Sequence, residues 1–232
     1  MQTLSDTEWL DLWERGQCRH PVDRAVLLLA AAFPAVSRDT LAGWPIGRRN
    51  QALIQLRSRC FGPCLSGWLA CAHCRANLEF ELDANCFVRE EAVVATVEVL
   101  GHTFRLPNSR DLALVANGKD YQAGPAAIAG NCLMGTLPPP DWSESELSAI
   151  GDGMAAADPL AEIWLTLNCP DCGAEAHELF DVVTYLWAEV EVRARQMLRT
   201  VHALASAYGW SEAEILSLSE SRRALYFELV HS

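Results

Sequence analysis

The sequence predicts an α+β chain, with mostly helical N- and C-terminal parts around a small β-unit that carries an inserted α/β segment. Three observations predict it. Capped helical periodicity fills both ends, short alternating apolar runs occur only in the middle, and two C-x-x-C pairs stand in matching surroundings.

The elements follow in order. Ser5 and Glu8 make a capping box, after which Trp9, Leu12 and Trp13 share a helical face until Gly16. Pro21 suits the first turn of a second helix carrying Val26, Leu29 and Phe33. Pro45 opens a third, with Ile46, Leu53 and Leu56 on its apolar side and Gly62-Pro63 at its end. Residues 1–64 therefore read as a helical N-terminal part. The texture then changes, and Leu78, Phe80 and Leu82 alternate as in a half-buried strand. Two short β-prone runs hinged at Gly101 predict a hairpin, residues 109–134 are weakly helical, and GTLPPPDWS at 135–143 is a proline-rich link. Ser143 with Glu146 caps a helix through about Ala156, with Trp142 and Leu147 as its hydrophobic staple. AEIWLTL at 161–167 is a strand, and one long helix covers roughly 182–208 before Gly209 stops it. Ser211 with Glu214 caps a short helix, and Ser219 caps a last one.

Composition bounds the function. The 232 residues can bury a core unaided, and 50% hydrophobic with 21% charged is ordinary globular composition. A formal net charge of −12 argues against nucleic acid or an anionic membrane as the main partner, since phosphate binding relies on Lys and Arg. Of the 18 basic residues only Lys119 is lysine. The N-terminus has early acids and no apolar signal core, and the apolar run 25–36 is too short for a bilayer and contains Pro34. Nine cysteines without an export signal fit reduced thiols and a cytoplasmic address.

The cysteines carry the chemistry. CAHCRANLEFELD at 71–83 and CPDCGAEAHELFD at 169–181 share Cys, Cys, Ala and a final Asp, each between β-prone flanks. Two such knuckles facing one ion make a zinc ribbon. Cys71, Cys74, Cys169 and Cys172 would satisfy tetrahedral zinc, and a closed four-thiolate site leaves no position for substrate. The site would contribute to folding and would not catalyse. The 94 residues between Cys74 and Cys169 make this a split ribbon, 65–83 and 161–181, around an inserted subdomain at 84–160. Loop-closure entropy grows only logarithmically, so that length is admissible. Residues 182–232 form the C-terminal helices, the whole being one integrated unit. A redox dithiol competes, but neither pair heads a helix where its thiolate would be stabilised. Cys60 and Cys64 are rival ligands, and His73 and His177 could substitute. Arg48, Arg49, Arg57 and Arg59 form the one concentrated basic patch, read as a solvated helix face. Arg193, Arg195 and Arg199 alternate with Glu189 and Glu191 as exposed i,i+4 pairs, and His202 reads as a packed histidine. No G-x-S-x-G, H-E-x-x-H, phosphate loop or dinucleotide fingerprint occurs, so no enzyme is expected.

The tail LWAEVEVRARQMLRTVHALASAYGWSEAEILSLSESRRALYFELV resembles the closing segment of the T4-type baseplate hub assembly chaperones of contractile phage tails and related injection systems. The likeness extends in order to DLWERG, HPVDRAVLLL, PIGRRNQALIQLR, FGP, FRLPNSRDLA and ADPLAEIWLTLNCPDCG. Residues 84–100 and 117–142 match poorly, and Cys60 and Cys64 depart from the pattern. The resemblance implies the four knuckle cysteines as zinc ligands. It places Trp210, Glu214, Arg222, Arg223 and Tyr226 in a terminal signature, a candidate partner surface. It further implies a non-enzymatic, cytoplasmic assembly factor whose partners are baseplate or tail proteins. The alternative is a zinc-ribbon nucleic-acid-binding or transcription-associated module, with the 48–59 arginines on phosphate.

Overall fold

The computed structural model describes Met1 and residues 4–88, 95–117, 124–135 and 139–231. It is mixed helix and sheet, 58% helical with three two-stranded sheets among the described residues. Four helices come first: α1 (Asp6–Gly16), α2 (Pro21–Ala32), α3 (Arg38–Ala42) and α4 (Ile46–Phe61). The antiparallel hairpin β1 (Cys64–Ala70)/β2 (Asn77–Asp83) leads into a 3-10 turn at Ala84–Phe87. A second hairpin, β3 (Thr96–Val99)/β4 (His102–Arg105), precedes α5 (Ser109–Asn117), α6 (Gly124–Cys132) and α7 (Glu144–Ala157). The third hairpin, β5 (Trp164–Asn168)/β6 (Glu175–Leu179), runs into α8 (Val182–Tyr208), α9 (Glu212–Ser217) and α10 (Glu220–His231).

Local chemistry sets these boundaries. Ser5/Glu8, Ser143/Glu146 and Ser211/Glu214 all close as reciprocal capping boxes. Gly209 ends α8 in the left-handed region at φ 70°. The one helix that periodicity does not announce is α3, whose signal is Ser37 accepting from the Thr40 N–H. The β3–β4 turn places both Leu100 (φ 53°) and Gly101 (φ 74°) at positive φ, as a type I′ turn requires. Leu100 is the strained member and is half-exposed. Leu100→Asn is therefore expected to raise stability by about 0.5–1 kcal/mol, measured as a rightward shift of the urea midpoint.

Burial follows the helical ends. The main core gathers Trp9, Leu28, Leu53, Leu56, Leu186 and Val190 from α1, α2, α4 and α8, and both outer hairpins lean on it through Leu65 and Leu165. Within the 84–160 stretch, Phe104, Ala129, Cys132, Ile150 and Met154 make a separate small core. Trp142 and Leu147, the expected staple, both pack against it. The C-terminal helices bury Val201, Leu204 and Ile215 together. No helix among the described residues is long and apolar enough to cross a membrane. Lys119 and residues 136–138 of the proline-rich link lie outside the described residues.

Candidate metal centre

Each C-x-x-C pair sits at the tip of a hairpin, and the two tips are built alike. In the first, the Cys71 N–H donates to the Ala76 carbonyl (2.8 Å) and the Arg75 N–H to the Cys71 carbonyl (2.9 Å). In the second, the Cys169 N–H donates to Ala174 (2.8 Å) and the Gly173 N–H to Cys169 (2.9 Å). Each loop turns through one left-handed residue, Arg75 (φ 67°) or Gly173 (φ 72°). Glycine takes that conformation freely, and arginine holds it at a cost of roughly 1–2 kcal/mol.

The tips face each other. Their four sulfurs all lie within 4.8 Å of one another, with Cys71 Sγ to Cys172 Sγ at 3.8 Å and Cys74 Sγ to Cys169 Sγ at 3.5 Å. A tetrahedron with metal–sulfur bonds of about 2.3 Å has edges of about 3.8 Å, so the arrangement fits a metal ion. Cys71 and Cys169 are buried, packed with Leu78 and partly buried Leu69 and Leu167, while Cys74 and Cys172 reach the surface. The thiols cannot all ionise unaided. Backbone N–H groups of Cys74 and His73 lower Cys71 to about 6. The Ala76 N–H favours the Cys74 thiolate, yet the crowding sulfurs, Cys169 foremost, push Cys74 up to about 12. Four thiolates at this spacing would need a cation, which a metal ion held by the four sulfurs would supply.

The shared final aspartate of the two sequence copies has a structural reason. Asp83 caps the 3-10 turn through the Asn85 N–H, and Asp181 caps α8 through the N–H groups of Val183 and Thr184. Each hairpin thus passes from knuckle to capped helix within a few residues. The arrangement ties the start of the 27-residue α8 to the cluster.

The remaining candidates fall elsewhere. Cys60 and Cys64 take no part in the cluster, Cys18 and Cys86 are exposed, and Cys132 is buried in the small core. His73 is exposed, and His177 stacks on Trp164 at 4.7 Å and meets Thr166 Oγ1 through Nδ1 at 3.2 Å. His202, expected to pack, is exposed, because α8 turns that side to solvent. The arginine patch is a solvated face only in part, since Arg48 and Arg59 are exposed and the other two are not. Arg49 and Arg57 are buried, Arg57 is clamped by Glu189 (2.6 Å), Arg48 lies over the Trp44 ring and Arg59 donates to the Met1 carbonyl. Of the expected i,i+4 pairs, Arg195–Glu191 forms at 2.6 Å, whereas Glu189 turns to Arg57 and Arg193 to Asp6.

The terminal signature divides. Glu214 is spent on its capping box and Arg223 is buried against Asp6. Trp210 stacks on Tyr208 at 4.7 Å and meets Tyr226 edge-on at 5.0 Å. Glu214 and Arg222 are the two exposed charges of the five, and Arg222 is the one not held in a capping box. With Leu225 (61% exposed) and Leu229 (64%) it lies on one face of α10, at spacings of three and four. No family model, curated protein or solved structure matches this chain.

Proposed function

We propose that this chain is a non-enzymatic assembly factor for a phage-tail-like contractile apparatus, its two hairpins clasped as a split zinc ribbon. The observation that carries the reading is the resemblance, which runs in order through most of the chain and ends in the α8–α10 signature. The chemistry of the cysteine cluster agrees with it. Four thiolates suit zinc, and with all four ligands supplied by protein such a site has no vacant position for a substrate. In this reading the ion holds the start of α8, and the helical ends meet baseplate or tail proteins in the cytoplasm. Arg222, in the signature, and the neighbouring Leu225 are exposed on α10 and form the surface this reading assigns to that contact. The alternative of a nucleic-acid module has less support, since two of its four arginines, Arg49 and Arg57, are engaged within the protein, leaving Arg48 and Arg59 exposed.

Deleting the gene and counting particles by electron microscopy tests the proposal. Loss of intact contractile particles is expected, restored by the wild-type chain and poorly by one carrying Arg222→Glu with Leu225→Asp. Normal particle numbers in the deletion would overturn it.

A further inference from the structure

A cleft of about 720 Å³ lies beside the main core, away from the cysteine cluster, and holds an arginine with no contact counter-charge. Arg49, on α4, lines this cleft and is only 7% exposed. Its Nε and Nη2 donate to the neutral Asn50 Oδ1 at 3.1 and 2.9 Å, and Asn50 is itself fixed by donating to the Leu160 carbonyl at 2.8 Å. Nη1 makes no hydrogen bond, and Arg49 no ion pair, among the described residues. A buried charge in this condition is costly unless something completes its shell.

Three carboxylates line the same cleft: Glu162 is exposed and accepts from Trp164 Nε1 at 3.3 Å, and the other two each answer a different need. Asp158 Oδ2 accepts from the Gly47 N–H at 2.8 Å, capping α4, which has no side-chain cap of its own. Asp181 caps α8, with Oδ1 accepting two backbone N–H groups and Oδ2 the Thr184 hydroxyl. Their charge offsets helix N-termini more than it offsets the guanidinium. Burial brings Arg49 down to about 10, so it stays protonated at neutral pH. The first residues of four helices of nine or more residues, α2, α4, α6 and α8, also line the cleft, adding positive potential to the same space. The opposite wall is apolar, formed by side chains such as Ile128, Leu147, Ile150 and Met154.

We infer that this cleft binds a small amphipathic carboxylate, of the size and character of a medium-chain fatty acid. The head group receives the free edge of Arg49 and the chain lies against α6 and α7. A carboxylate matches the guanidinium fork, and 720 Å³ is within the usual range for small-molecule sites. The inference does not rest on the assembly role, and no cysteine of the cluster lines the cleft.

Isothermal titration of the full, metal-loaded chain with decanoate tests this, with decanol and decylamine as the matched head-group series. Saturable one-to-one binding of decanoate is expected, at least about tenfold tighter than decanol, with no binding of decylamine. Arg49→Met should bring decanoate down to the decanol level. Ile128→Trp, which fills the cleft from the other wall and leaves Arg49 in place, should weaken both decanoate and decanol. Equal affinity for decanoate and decanol in the wild-type protein would overturn the inference without any variant. Decanoate binding that survives Ile128→Trp unchanged would also overturn it.

Discussion

Purified protein is expected to carry one zinc ion per chain and to lose it when Cys169 and Cys172 are both replaced by serine. The two remaining sulfurs, Cys71 and Cys74, cannot complete a tetrahedron, and neither serine hydroxyl replaces a thiolate at neutral pH. The consequence extends beyond the ion. The knuckles close a loop of 94 residues, and Asp181, nine residues beyond Cys172, caps the longest helix. A structural zinc site contributes about 10 kcal/mol or more to a peptide that is otherwise unfolded. Here both hairpins also lean on the main core, so a smaller cost is expected, on the order of 4 kcal/mol, or a fall in Tm of roughly 8–16 °C. Elemental analysis and thermal melting read the two effects separately. A strong chelator should reproduce the loss of stability in the wild-type protein and leave the double variant unchanged. Full zinc retention in the variant would refute the assignment of these four ligands.

Removing the Asp6 carboxylate is expected to cost nearly as much. Asp6, in the first turn of α1, accepts from Arg193 Nη2 of α8 at 2.9 Å through one oxygen and from Arg223 Nη2 of α10 through the other. Arg223 is buried, and its Nη1 and the Arg193 Nε already lack partners. Asp6→Ala would leave two guanidinium groups facing each other without an anion, a loss of about 3–5 kcal/mol, or roughly 6–20 °C in Tm. Because α10 joins the rest partly through this contact, its amides should lose exchange protection first. The pH dependence has a definite sign. Burial alone would raise the Asp6 carboxyl, but the hydrogen bonds from Arg193 and Arg223 outweigh it and the net shift is downward. A depressed carboxyl stabilises the fold above its unfolded value of about 3.9, and that stability is lost as pH falls through the lower folded value. Asp6→Ala should therefore flatten the acid limb of the stability curve.

Much of this architecture was legible in the chain itself. The capping boxes at Ser5, Ser143 and Ser211 and the hairpin at Gly101 all formed where they were expected. Each depends on residues within four positions of one another, so the information is local. The pairing of the knuckles was also legible, because a repeated motif announces its own symmetry, and the four sulfurs do converge. The basic residues were not legible in this way. Arg48, Arg49, Arg57 and Arg59 look like one patch along α4, but helical geometry sends them to different surroundings. Arg57 meets a carboxylate 132 residues away, and Asn50, which holds Arg49, meets a carbonyl 110 residues away. No window of sequence contains both members of such a pair.

The sequence by itself determined where the capped helices begin, and that two cysteine pairs belong together. These follow from backbone hydrogen-bond demand and from the fixed spacing of ligands on a tight turn. Only the tertiary structure decided which charges are buried, and it left Arg49 facing an apolar cleft. It also buried Arg223 of the terminal signature, half-buried Trp210 and Tyr226, and left Glu214 and Arg222 exposed. The reason is physical. Burial and charge pairing depend on which distant surfaces meet, and that is settled when the helical ends pack around α8.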